Sequence, residues 1–204
     1  MGELSREEQF FGWEYQNAAQ LTYHIDEMRN KVTGFWLSFV GVAVAGLAIL
    51  IKGEFILLGE AKNYILAGLF FLIGILGVIM TCILARLRAV QLEHFGIINN
   101  IREFFVGTNA ANLTVVQLSS KTLPKPTRTS GSFYWLLLIT LVGAVMFGFA
   151  AYFVAIQHNA AANSFILAMG VAIAAYFAQD FLYFKLAQPR PKITYADVDL
   201  KAKG

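Results

Sequence analysis

Charge is scarce in this sequence. Asp, Glu, Lys and Arg make up 14% of its 204 residues, against about 25% in an ordinary soluble domain. Hydrophobic residues make up 57%. That leaves too little polar surface to cover a water-soluble globule of this size, and too much apolar material for intrinsic disorder. Cysteine occurs once, at Cys82, which excludes an intramolecular disulfide and a cysteine-based zinc site. The four prolines, at 124, 126, 189 and 191, all fall outside the long apolar runs. No Walker loop, G-x-G-x-x-G, H-E-x-x-H, CxxC or G-x-S-x-G motif is present, so the expectation is a protein that is not an enzyme and holds neither metal nor cofactor. A signal peptide is not expected, because residues 1–32 are polar, acidic and too long for an n-region. Met1-Gly2 begins like a myristoylation site, but Arg6 stands where Ser or Thr is required.

What the chain does have is four apolar runs, at 33–51, 64–85, 132–156 and 164–184. Each is long enough to cross a hydrocarbon core of about 30 Å, which takes about 20 helical residues. The fold class expected is all-α, a four-helix transmembrane bundle in contact with the lipid bilayer. Fourteen of the 16 Lys and Arg fall in residues 1–32, 86–131 and 185–204, whereas the link 52–63 has two and the link 157–163 none. Basic residues resist translocation, so both termini are expected in the cytoplasm and the protein in the cell inner membrane. The net charge of +3 is then a matter of topology, and no direct nucleic-acid binding is expected. Trp36, the Phe133-Tyr134-Trp135 run and the aromatics from Tyr176 to Phe184 read as an inner belt, with Tyr64 and Tyr152 near the outer face.

The first two spans should extend into the cytoplasm as helices. Ser5 and Glu8 form an S-x-x-E capping box ahead of residues 6–32. Ala18, Leu21, Ile25, Met28 and Val32 make an apolar stripe. Leu87, Val90, His94, Ile97, Ile101 and Phe104 make another on residues 86–107, which ends at Gly107. Residues 1–32 carry net −3 and residues 86–131 net +4, so the two extensions should associate, within one chain or between chains. Residues 108–131 read as a loop, with at most a short strand at Leu113–Leu118 and an inert glycosylation acceptor at Asn112. Residues 185–204 form a tail.

Four residues stand out as candidates for partner binding or pore lining: Arg88, His94, Arg102 and Asp180. Asp180, the one acid of the fourth span, reads as an interfacial carboxylate paired with Lys185 or Arg190, or as part of a ring of charge at a pore mouth. Arg88 and His94 have an R-x5-H spacing within the range of HEPN ribonucleases. Residues six apart lie off one helix face, however, and His94 on an apolar stripe reads as a packed polar residue or an interhelical hydrogen bond. His24, beside Asp26 and Glu27, and His158, among small residues, have no better claim. Three small-residue pairs are expected to pack helices: Gly41 with Ala45, Ala144 with Gly148, and Gly170 with Ala174. They give close-approach faces within one bundle or between subunits, and packing within one bundle is the first expectation.

In layout the chain resembles the small four-span effectors and accessory proteins found with bacterial anti-phage and CRISPR systems, those of type VI systems included. The matching features are the capped helix entering the first span, the segment EHFGIINNIREFF (93–105) after the second, and the loop LPKPTRTS (123–130) before an aromatic-rich third span. The resemblance implies a homo-oligomer that permeabilises or depolarises the membrane, triggered by a cytoplasmic protein or nucleotide signal. The alternative is a non-catalytic scaffold that anchors a cytoplasmic partner.

Overall fold

A computed structural model describes residues 6–52, 61–106, 128, 131–158 and 161–188. They form four helices: α1 (Arg6–Lys52), α2 (Lys62–Val106), α3 (Gly131–Ala155) and α4 (Ala161–Leu186). The all-α expectation holds, with no strand among the described residues. Ser5, Asn112, the 113–118 segment and the tail beyond residue 188 lie outside them.

The helices run unbroken because no proline interrupts them. α3 closes with the Ile156 amide donating to the Tyr152 carbonyl and the His158 amide to the Ala155 carbonyl. α4 closes on a bond from the Ala187 amide to the Tyr183 carbonyl, just ahead of Pro189, which disfavours a helical residue before it. All four helices are long and apolar enough to cross a membrane. α3 and α4, at 25 and 26 residues, match a bilayer. α1 and α2, at 47 and 45 residues, are about 70 Å long at 1.5 Å per residue, more than twice the hydrocarbon thickness. Their surplus forms an arm beyond the bundle.

Sequential helices pack antiparallel, and contacts along the chain fix the register. At one end, here the hairpin end, Asn63 Nδ2 donates to Gln157 Oε1 at 2.8 Å and Tyr64 OH meets His158 Nε2 at 2.8 Å. Fourteen residues further along each helix, Gly77 lies against Gly143. α2 and α3 thus run past each other without slipping, and a further eight residues bring Ala85 level with Trp135. α1 pairs with α2 from Trp36 beside Gly77 to Tyr15 beside Arg102. α1 rests chiefly on α2, and α2, α3 and α4 form the tighter unit.

The core changes character along its length. Towards the hairpin end it is aromatic: Phe70 packs on Phe149 at 5.2 Å between ring centroids and stacks on Phe153 at 5.6 Å, while Phe71 meets Phe147 edge-on. From the Gly77–Gly143 crossing towards the other end, the termini end, polar side chains enter it. Thr33, Thr81, Arg88, Gln91, Asn99, Gln179 and Asp180 are all buried.

Two expectations about helix surfaces need correction. Trp36 departs from the expected interfacial belt. It is 0% exposed, and its ring edge comes within 3.4 Å of where a Gly77 side chain would begin. Glycine leaves room there for an indole, so Trp36 is a core residue at the crossing.

The second correction concerns packing within one bundle, the first expectation for Ala45 and Ala174 together with Gly41 and Gly170. Ala45 is exposed, and Ala174 is exposed, as are both glycines. None of the four is buried among the described residues. The reason is rotational. α1 buries Trp36, Val40 and Leu47, and Ala45 lies about 140° round the helix from Val40 at 100° per residue. α4 buries Ser164, Ala168, Gln179 and Tyr183, and Ala174 lies about 120° round from Ala168. Both alanines therefore face away from the bundle.

Candidate functional site

The polar region builds upward from the crossing. Thr81 donates back to the Gly77 carbonyl at 3.0 Å, as threonine does in a helix, and also to Gln179 Oε1 at 3.4 Å. Gln179, 2% exposed, lies across from Gly143, whose missing side chain gives it space. The Gln179 Nε2, Trp36 Nε1 and Thr33 Oγ1 atoms are buried and have no hydrogen-bond partner among the described residues.

Further along, Arg88 is 7% exposed and faces into the bundle. Its Nη1 donates to Gln91 Oε1 at 2.7 Å, and Gln91 Nε2 donates to Asp26 Oδ1 at 2.9 Å. Asp26 in turn pairs with Arg29 at 2.8 Å. Gln91 is therefore a relay that carries the field of Asp26 on α1 to the guanidinium on α2. Out on the arm, Arg102 Nη2 donates to Tyr15 OH at 2.8 Å, and its guanidinium sits 5.5 Å from that ring's centroid. The two extensions thus associate within one chain, through Gln91 with Asp26 and Arg102 with Tyr15 rather than through an ion pair between them among the described residues.

Asp180 pairs with Arg128 at 2.6 Å, rather than with Lys185, whose side chain is exposed; Arg190 lies outside the described residues. The Arg128 guanidinium also lies 5.7 Å from the centroid of Phe184. Arg128 comes from the link before α3, so the pair ties that link to the end of α4. The Asp180 side chain is 8% exposed and that of Arg128 68%. An R128Q substitution should therefore cost more stability than D180N, because it leaves a buried carboxylate unpaired. We expect about 1–3 kcal/mol for R128Q and less for D180N, read by thermal unfolding in detergent.

No hydrogen bond joins Arg88 to His94 among the described residues. Arg88 turns to Gln91, whereas His94 lies on a groove between α1 and α2 together with His24. The spacing that suggests a phosphodiester-handling pair does not bring the two groups together in one chain. His158 is bonded to Tyr64 and helps close the hairpin end.

The small-residue pairs divide. Ala144 is buried, and Gly148 packs against Ala168 and Ala172 of α4, inside the chain. Packing within one bundle accounts for this pair alone. Gly41 and Gly170 have nothing within 4 Å of where a side chain would begin. With the exposed Ala45 and Ala174 they form two outward small-residue faces that the described residues leave uncovered.

The apolar stripes of the arm are also only half used. Ala18, Ile25 and Ile101 are buried, but Leu21, Met28, Val90 and Ile97 are exposed, as are Phe10, Trp13 and Tyr23. In the spans, exposed apolar side chains meet lipid. On an arm that projects past the bundle they meet water unless something covers them, and exposed apolar patches of that kind mark interaction surfaces.

Four membrane-length apolar helices make this a multi-pass integral membrane protein. Comparison with known protein families, curated proteins and solved structures gives no match.

Proposed function

We infer that the chain works as an oligomeric, channel-like or membrane-permeabilising effector, with its termini end in the cytoplasm and a place in prokaryotic antiviral defence. The observation that carries this reading is the apolar surface of the arm that the described residues leave uncovered, with Phe10, Trp13 and Tyr23 exposed beyond the bundle. Association of arms from several copies would cover it. The exposed faces of Gly41 with Ala45 and of Gly170 with Ala174 would then let membrane helices of neighbouring chains approach closely. Any conducting path lies between chains, because the aromatic packing of Phe70, Phe149 and Phe153 closes the hairpin half of each single bundle. A cytoplasmic protein or nucleotide signal would act on the arm. The resemblance in layout to four-span defence effectors supports the same class.

That closed half also favours a second reading, in which the chain is a scaffold or accessory subunit and the arm holds a cytoplasmic protein. One experiment separates the two. The full chain and a W13E/Y23E variant are reconstituted in vesicles, and oligomer size and dye-reported membrane potential are measured. The effector reading expects oligomers that dissipate the potential, and a variant that is folded, smaller in assembly and at least tenfold less active. Monomers, or oligomers in ion-tight vesicles, would overturn it in favour of the scaffold.

A further inference from the structure

We propose that the groove between α1 and α2 is a binding site for one anionic phospholipid, with the headgroup phosphate held by Arg86 and an acyl chain lying towards Val78. This inference goes beyond the channel-like reading and stands whether or not the chain conducts ions.

The groove has a volume of about 580 Å³, within the range of ligand-sized pockets. Its two ends differ in chemistry. One end, formed by Val78, Ile79, Cys82 and Ile83 of α2, is wholly apolar; beyond it Arg86, His94 and His24 stand among Leu21, Ile25, Met28, Leu87 and Val90, and among the described residues no carboxylate lines the groove.

The register of the helices places Arg86 at the membrane boundary. Counted eight residues on from the Gly77–Gly143 contact, Ala85 falls level with Trp135, and Tyr134 and Trp135 are both exposed, where amphipathic rings mark the headgroup zone. Residues 78–83 therefore lie at the depth of acyl chains, and Arg86 lies at the depth of phosphates. Arg86 is exposed and has no ion pair or hydrogen bond among the described residues. That sets it apart from Arg29, Arg88, Arg102 and Arg128, each of which is engaged. The buried Nδ1 of His94 likewise has no partner among them.

A basic group set between helices at the headgroup level, above an apolar slot, fits an anionic lipid. A zwitterionic headgroup would meet the same arginine with no net charge. A peptide helix would have to leave water to reach Val78 and Ile79, whereas an acyl chain is already there.

Cys82 makes the test direct, because it is the sole cysteine and lies in the groove partly buried. The purified full chain is placed in detergent with phosphatidylglycerol or phosphatidylcholine at equal mole fraction. Bound lipid is counted by native mass spectrometry, and the rate of Cys82 alkylation by a maleimide is followed in parallel. We expect phosphatidylglycerol to be retained about fivefold over phosphatidylcholine, as one basic group near an anionic lipid provides, and to slow alkylation. R86Q should erase that preference. Arg86 is exposed and unpaired, so the variant keeps the fold. I79W, which fills the slot from a half-exposed position, should lower retention of both lipids.

R86Q retaining the full preference would overturn the proposal. So would alkylation indifferent to phosphatidylglycerol, or protection by inorganic phosphate equal to that by the lipid. A Cys82–Cys82 cross-link between copies, undiminished by phosphatidylglycerol, would assign the groove to a second chain and overturn it too.

Discussion

Replacement of Gln91 by leucine is expected to destabilise the protein by about 2–3 kcal/mol, the range for losing a hydrogen bond to a buried charged group. Replacement of the charged residue itself, as R88M, is expected to cost about 1 kcal/mol or less, because removing a buried charge together with its desolvation penalty is often neutral. The asymmetry follows from the relay. Gln91 accepts from Arg88 at 2.7 Å and donates to Asp26 at 2.9 Å. Leucine would leave a guanidinium 7% exposed without its acceptor, and Arg88 Nε already has no partner among the described residues. In R88M the aliphatic stem is preserved, Gln91 keeps its bond to Asp26, and only one amide oxygen loses a donor. The double variant R88M/Q91L should recover most of what Q91L loses, a coupling far from additive. Thermal unfolding in detergent, followed by tryptophan fluorescence, measures all three. If R88M proved the severe change and Q91L the mild one, Arg88 would be contributing net stability by contacts other than this relay.

The same relay shows where the sequence is legible and where it is not. The four spans and the two helical extensions are written in apolar runs, in the absence of proline and in charge, and periodicity alone recovers them. Which face of α2 packs on α1 is not recoverable that way. The apolar stripe of Leu87, Val90, His94 and Ile97 is the obvious seam, yet Val90 and Ile97 are exposed, while Arg88, Gln91 and Asn99 are buried beside Ala89 and Leu92. A polar residue can occupy a seam when it finds a partner there: Arg88 has Gln91 on its own helix, and Gln91 has Asp26 on α1, 65 positions away. Hydrophobic periodicity carries no information about such pairings. Trp36 misleads for the same reason: a tryptophan at a span end reads as interfacial unless a glycine on the facing helix is known to make room. Asp180 is recognisable as a carboxylate needing a cation, but its partner Arg128 is 52 residues away, beyond the reach of any local pattern. Small-residue spacing marks close-approach faces but not their direction. Ala144 and Gly148 turn inward while Ala45 and Ala174 turn outward, and in a helix that is apolar all round no polar face says which is which.

The crossing geometry gives the sharpest contrast among the glycines. A methyl group placed on Gly77 would lie 3.0 Å from the Gly143 Cα and 3.4 Å from the Trp36 ring. The first of these neighbours is backbone, which can give way only if α2 and α3 move apart. Separation would loosen the contacts of Trp36, Thr81 and Gln179 together, since all of them converge on this crossing. G77A is therefore expected to cost about 1–3 kcal/mol, the usual range for overpacking. G77L should cost more, because a side chain of that size cannot lie between two backbones in contact. At Gly41 and Gly170 a methyl group would meet nothing within 4 Å, and alanine is the better helix former by about 1 kcal/mol. G41A and G170A should leave the melting temperature unchanged or raise it slightly. G41L and G170L extend the contrast to assembly: if the outward glycine faces are where neighbouring chains meet, these variants should melt like the wild-type chain yet run as smaller oligomers. Both readouts come from one purification, with melting followed by tryptophan fluorescence and size by native mass spectrometry. A G77A variant as stable as wild type would mean that α2 and α3 do not touch at this crossing. An unchanged oligomer in both G41L and G170L would remove the outward glycines from the assembly and leave the arm to hold it alone.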